Sequence, residues 1–270
     1  MLGKQSKSKT DMETLKERMI ALRSATDYRL PLKRYVMVMI DGRSFSKLIK
    51  NKYEKPFDDT FISMMNEVAI YVCKNVQGCK FAYVQSDEIT FVLTDFEAEE
   101  CSPFFDYRLT KILSIIPSMA SGKFNQLVLS ELNGKEEILN HKLAEFDCKA
   151  WSVNKIEDVY SYYLWRQIDC IRNSKQMAAQ SYLPHRQLTN LNTDEQIKKL
   201  LDEKGINWNE YDDGKKYGRF IYKEKKNFYN AEIDKEYERN MWIAHNAFQL
   251  QGENGKSKFL ELGVIPIRQN

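Results

Sequence analysis

The run Tyr35-Val36-Met37-Val38-Met39-Ile40 stops abruptly at Asp41-Gly42. It is long enough for a buried strand and too short for a helix of ordinary length. After a polar stretch and Lys55-Pro56, the residues Phe57, Phe61, Met64, Met65, Val68 and Val72 fall on one helical face, with Asp58 or Asp59 as N-cap. Two more strands follow, Lys80 to Val84 and Ile89 to Leu93. The intervening Gln85-Ser86-Asp87-Glu88 is short enough for a hairpin. A second helix is predicted over about 103–130 and a fourth strand over Glu145–Ala150. The order β-α-β-β-α-β is the ferredoxin-like arrangement of a polymerase palm, an α+β fold.

Around this unit the signals are of other kinds. Met1 to Thr10 is polar and reads as a disordered tail. Residues 11–27 have helical character through Met12, Leu15, Met19 and Leu22. From Lys155 to about Leu183 a long helix is predicted. Its apolar face carries Ile156, Val159, Tyr163, Leu164, Ile168 and Ile171, and its polar face carries Arg166, Asp169, Asn173 and Gln180. A helix near 193–204 and a hairpin across 211–222 are expected beyond it, as an extra α/β region. The domain reading is therefore 1–30 as tail and helix, 31–150 as catalytic palm, and 151–270 as a helical region packed on the palm.

Composition narrows the chemistry by exclusion. No run of about 18 uncharged apolar residues exists, so no membrane-spanning helix is expected. The N-terminus has no secretory apolar core, which makes the cytoplasm the expected compartment and an organelle the alternative. Five cysteines without a Cys-x-x-Cys pair read as reduced thiols. The histidines at 141, 185 and 245 are too scattered for a metal cluster. Any metal must then be sought among carboxylates. A net charge of +3 neither supplies nor excludes a nucleic-acid surface.

The ferredoxin-like order makes the first and third strands antiparallel neighbours. Asp41, ending the first, should stand beside Asp87 and Glu88, starting the third. Three like charges at close range oppose ionisation, and hard divalent cations resolve the conflict. Two such ions can activate a ribose hydroxyl and stabilise a departing pyrophosphate. Gly42, lacking Cβ, is expected to let the backbone approach a phosphate or metal closely. Asp-Gly and Ser-Asp-Glu are each common in plain turns. Their placement at matching strand ends favours the two-metal palm, without choosing its substrate.

Four motifs point further. They are Ile40-Asp41-Gly42-Arg43-Ser44-Phe45, Lys55-Pro56-Phe57-Asp58, Tyr83-Val84-Gln85-Ser86-Asp87-Glu88, and Tyr163-Leu164-Trp165-Arg166-Gln167-Ile168-Asp169-Cys170. In this order they resemble the tRNA-histidine guanylyltransferase family, over roughly residues 30 to 182. The resemblance implies a palm working in the 3′-to-5′ direction, in which a nucleotide 3′-hydroxyl attacks an activated 5′ end of RNA. By position, Asp41 and Asp87 would hold two Mg2+ ions with the carbonyl of Gly42, and Glu88 would assist. Asp41, Gly42, Arg43, Ser44, Phe45, Ser46 and Ser86 would line the nucleotide, flanked by Lys55 and Asp58. Arg166, Asp169 and Asn173 would handle the RNA 5′ end. ATP, GTP and other nucleoside triphosphates are the implied substrates, tRNA the partner, and a homotetramer the assembly.

Departures from the family pattern refine this. Histidine-specific members carry His-Ile-Asn-Asn where this chain has Ile171-Arg172-Asn173-Ser174. That looks like the guanylyltransferase-like branch, which repairs 5′-truncated tRNA by copying the opposite strand. Addition of one G to histidine tRNA is the alternative. Met39 stands where a basic residue is common, and Ser46 where histidine is common. A palm-type nucleotide cyclase and a non-catalytic RNA-binding palm are the rival readings. The stretch Lys215 to Lys223 mixes basic and aromatic residues, but an exposed hairpin explains it as well.

Overall fold

The computed structural model describes residues 9–48, 52–97, 101–132, 142–230 and 234–268. His141 and residues 1–8 of the expected tail lie outside the described residues. Helix α1 spans Lys9–Ser24, somewhat earlier than the predicted 11–27. There follow β1 (Tyr35–Gly42), α2 (Phe45–Leu48), α3 (Asp59–Asn75), β2 (Cys79–Gln85) and β3 (Glu88–Leu93). Then come α4 (Leu109–Glu131), β4 (Phe146–Val153), α5 (Ile156–Tyr182), α6 (His185–Leu188) and α7 (Thr193–Lys204). The chain continues through α8 (Asp213–Tyr217), β5 (Arg219–Asn230), β6 (Lys235–Asn246) and α9 (Gly252–Glu261).

The strands form one sheet in the order β4-β1-β3-β2-β5-β6, and every pair is antiparallel. Its first four strands are the expected ferredoxin-like palm, an α+β architecture. Side chains alternate along β1, so its two faces feed two cores. Val36, Val38 and Ile40 pack against α3 and α4 with Met65, Val68, Ile112 and Ile116. Tyr35 and Met37 pack on the opposite side with Val159 and Tyr163 of α5 and Phe259 of α9. The unbroken apolar run is thus explained by burial on both faces. Each such side chain contributes roughly 1.5–3 kcal/mol when fully buried. Beyond the sheet, Ala178, Ala179, Leu183, Leu200 and Trp208 tie α7 to the end of α5.

Two local expectations need correction. The helix expected over 103–130 begins only at Leu109, because Phe105, Asp106 and Tyr107 adopt left-handed backbone (φ 48°, 52° and 52°) and reverse the chain first. The hairpin expected across 211–222 is displaced: residues 213–217 are helical, and the paired strands are β5 and β6. Gly218 makes the switch, at φ 85°; a Cβ there would lie 2.7 Å from the Val84 carbonyl oxygen. Residues 219–222 of β5 pair with Phe81–Val84 of β2, adding the C-terminal region to the palm's own sheet. Leu15, Met19 and Leu22 of α1, whose spacing predicts that helix, are exposed.

The five cysteines are free. Among the described residues no helix is long and apolar enough to cross a membrane.

Candidate active site at the end of the sheet

The register of the central strands places Asp41 of β1 directly opposite Glu88 of β3. Asp87 is in the two-residue turn between β2 and β3, beside Ser86, whose φ of 46° is left-handed. A non-glycine residue held there is strained by about 1–3 kcal/mol, a cost typical of functional turns. The expected convergence of Asp41, Asp87 and Glu88 is therefore present. Asp147 of β4 joins it, opposite Asp41 on the other side. Sequence reasoning missed Asp147, although the fourth strand of this topology must flank the first.

These acids repel one another. Burial pushes the Asp41 carboxyl up to about 6, and the charges of Asp87, Glu88 and Asp147 push it the same way. Burial also raises Asp87, against hydrogen bonds from its own backbone N–H and from Ser86. Among the described residues, no three His, Cys, Asp or Glu side chains are grouped to hold an ion by themselves.

Glu88, expected to assist at this site, is engaged by protein donors. Its two oxygens accept from Arg166 Nε at 2.7 Å and Nη2 at 2.6 Å, and Oε1 also accepts from Gln85 Nε2 at 3.0 Å. The pair is largely buried, with side-chain exposures of 12% and 11%. Arg166 Nη2 donates to Asp169 at 3.0 Å as well, and Asn173 donates to the same carboxylate at 3.4 Å. Arg166, Asp169 and Asn173 thus form one row on α5, anchored to the acidic cluster through Glu88. Burial works to lower the Arg166 pKa, but Glu88 and Asp169 outweigh it and leave it raised.

A cavity of about 520 Å³ opens against this cluster, within the range of small-molecule sites. Asp41, Ser86, Asp87 and Glu88 line one wall, and the α5 row lines another. Lys55 and Asp58 lie on a third wall, at the start of α3. Asp58 is already committed: its oxygens accept from the backbone of Phe61 and of Glu54, each at 2.8 Å, capping α3 and pinning the preceding loop. Lys215 and Arg219 complete the lining from the C-terminal region. Sequence reasoning gave neither a role, since a displaced hairpin hid their position.

The segment after Asp41 departs from expectation. Gly42, Arg43, Ser44, Phe45 and Ser46 are not among the cavity-lining residues. Phe45 is 1% exposed, packed on Phe146 at 5.0 Å and Phe124 at 5.1 Å between ring centroids. Its ring cannot stack on a base. Arg43 turns to Glu145 at 2.7 Å, Ser44 holds a left-handed φ of 58°, and Ser46 is exposed. The need for glycine at 42 also has another cause: a Cβ there would stand 2.3 Å from the Phe45 ring. Gly42→Ala is expected to destabilise the fold by ~1–3 kcal/mol through overpacking, read as a lower urea midpoint. An unchanged midpoint would mean that the ring moves aside freely.

A family model described as tRNAHis guanylyltransferase matches residues 17–154. The chain belongs to that family. It is a guanylyltransferase-like nucleotidyltransferase, and the acidic cluster lies within the matched segment. An uncharacterized protein of Acanthamoeba polyphaga mimivirus is 29% identical, over 78% of each chain. A probable tRNA(His) guanylyltransferase of Dictyostelium discoideum is 35% identical, and the match covers only half of either chain. In three dimensions the likeness is broader. A bacterial tRNA(His) guanylyltransferase-like protein in complex with ATP superposes with a TM-score of 0.77 at 31% identity, covering 93% of this chain and 99% of that one. A second structure with the same description, in complex with GTP, gives 0.70 at 28% identity, covering 92% and 96%.

Proposed function

We propose that this chain extends the 5′ end of truncated tRNA in the 3′-to-5′ direction, copying the opposite strand of the helix end. The observation that carries this reading is the Asp41–Asp87 pair, two carboxylates disfavoured as anions and facing a cavity of nucleotide size. In the reaction, the 3′-oxygen of the incoming nucleotide bonds to the phosphorus at the activated 5′ end. The bond from that phosphorus to pyrophosphate or AMP breaks, and the hydroxyl proton leaves to solvent.

The donor set fits magnesium, which uses one or two carboxylates and completes its shell with water and substrate phosphates. Asp41, Asp87 and the Gly42 carbonyl would hold two ions. When bound, they would make the 3′-hydroxyl more acidic and neutralise charge on the departing group. The protein's own part is positioning. The Arg166–Glu88 pair fixes the floor of the cavity beside Asp41, and Asp169 and Asn173 carry that row along α5 to receive the RNA end. Ser86 supports Asp87 by hydrogen bonding. Nucleoside triphosphates, ATP and GTP among them, are the substrates of this reading, and a homotetramer is its assembly. Residues 31–150 serve as catalytic palm and 151–270 as the RNA-handling region.

Two observations favour repair over addition of a single G to histidine tRNA. Ser174 stands where histidine-specific members carry asparagine, and here it accepts from Trp208 Nε1 at 3.2 Å in a buried contact. The broad three-dimensional likeness is to proteins described as guanylyltransferase-like. The test supplies 5′-truncated tRNA transcripts, ATP, magnesium and each labelled nucleotide in turn. Template-matched growth on several tRNAs is the expected result. G added to histidine tRNA alone would restore the narrower role. Release of cyclic nucleotide, or RNA binding without extension, would overturn the reading.

A further inference from the structure

Arg219 has more hydrogen-bond donors than partners. It is 5% exposed. Nε donates to Asn66 Oδ1 at 3.1 Å and Nη1 to the Gly214 carbonyl at 3.4 Å, while the buried Nη2 has no partner among the described residues. Burial lowers its pKa, and among the described residues it is Cys170 and Tyr83, not a carboxylate, that oppose this. Arginine nevertheless stays charged at neutral pH. A buried, uncompensated guanidinium is costly, and native proteins rarely keep one without a use.

The other cations lining the cavity are satisfied. Arg166 is held by Glu88 and Asp169. Lys215 pairs with Asp59 at 2.7 Å, and Lys55 is exposed to water. Arg219 also sits at the reacting end of the sheet. It pairs across from Val84, two residues before Ser86 in the turn that carries Asp87. Gly218, with its left-handed backbone, lets the chain run close enough to Val84 to place it there.

We propose that Arg219 is a phosphate-binding residue of the cavity, its unfilled guanidinium edge completing its hydrogen bonds on a phosphoryl oxygen of the substrate. The planar fork matches such an oxyanion, and a charge-assisted hydrogen bond there replaces the missing carboxylate. The phosphoryl group belongs either to the nucleotide or to the 5′ end of the RNA. The inference rests on the proposed reaction only in making the anion a phosphate.

The test compares the full chain with Arg219→Met, which keeps the aliphatic stem, and Arg219→Lys, which keeps a charge without the fork. Lys198→Met, an exposed cation on α7, controls for general charge. Inorganic tripolyphosphate, without metal, is the first probe. It is expected to raise the melting temperature of the parent and of Lys198→Met by several degrees, and that of Arg219→Met not at all. If Arg219→Met does not fold, Arg219→Lys decides, with an expected loss of at least about tenfold in tripolyphosphate affinity.

The source of the phosphate is read from two further comparisons. A tenfold loss of GTP affinity with guanosine affinity unchanged assigns it to the nucleotide. Loss of preference for a 5′-phosphorylated over a 5′-hydroxyl RNA hairpin assigns it to the RNA. A folded variant matching the parent in all three comparisons would make Arg219 only a strut between α3 and α8 and overturn the proposal. If tripolyphosphate binding depends on Arg219 but no RNA is extended, the site stands and the repair reading falls.

Discussion

Asp41→Asn and Asp87→Asn are each expected to reduce 5′-end extension by ~10³-fold or more, while leaving the metal-free protein at least as stable as the parent. The first effect follows because in the proposed reaction each carboxylate holds magnesium, whose charge stabilisation is worth several kcal/mol in the transition state. The second follows from the direction of the pKa shift. The folded Asp41 carboxyl titrates near 6, above its unfolded value of 3.8. Below 3.8 both states hold the proton, and the group makes no difference to stability. Between 3.8 and 6 the unfolded chain loses the proton first, so stability falls as pH rises. Above that window the full penalty applies. Taken whole, the shift corresponds to ~3 kcal/mol, but Asp41 is partly solvated, and ~1 kcal/mol is the better expectation. Urea unfolding in EDTA across pH 4 to 8 should therefore give a flatter profile for Asp41→Asn than for the parent. A variant that unfolds more easily at pH 7, or one that still extends RNA, would contradict the assignment of these carboxylates.

Arg166→Leu is expected to be the most destabilising substitution in the cavity wall, by ~3–5 kcal/mol, because it strands a buried glutamate. Among the described residues, Glu88 would keep only Gln85 as a side-chain donor. The guanidinium also lies 4.7 Å from the Trp165 ring, and leucine cannot replace that attraction between cation and ring face. The double variant Arg166→Leu with Glu88→Leu removes both charges and should recover most of that stability. It should not recover extension, since the pair would no longer fix the cavity floor or anchor Asp169 and Asn173 to it. Arg166→Lys should fall between, because an ammonium cannot reproduce the two-pronged contact. Equilibrium unfolding and the extension assay on the same samples separate the two roles. Full activity in a stable double variant would reduce the pair to a structural device.

Much of this architecture is legible in the chain itself. The apolar run before Asp41 and the helical spacing of Phe61, Met65 and Val68 are local patterns set by burial. The ferredoxin-like order then forces Asp41 toward Glu88. The partnership of Glu88 with Arg166 was not legible, because the two residues are 78 positions apart. Each also fits a solvated surface when read alone. Phe45 misled for a different reason: it sits in a motif linked to nucleotides, on a four-residue helix too short to show which side is buried. Arg219 was hidden in a basic and aromatic stretch, where only the backbone of Gly218 reveals that helix ends and strand begins.

The match to the family model ends at residue 154, but the physical unit does not. A fragment stopped there would keep Asp41, Asp87 and all four palm strands. It would also leave Tyr35, Met37, Phe81, Tyr83 and Val92, now covered by α5 and α9, facing water. The free edge of β2, now occupied by β5, would be open to pairing with other chains. The palm alone is thus no transplantable cassette: the C-terminal region must keep a lid on a greasy sheet, whether or not it touches RNA.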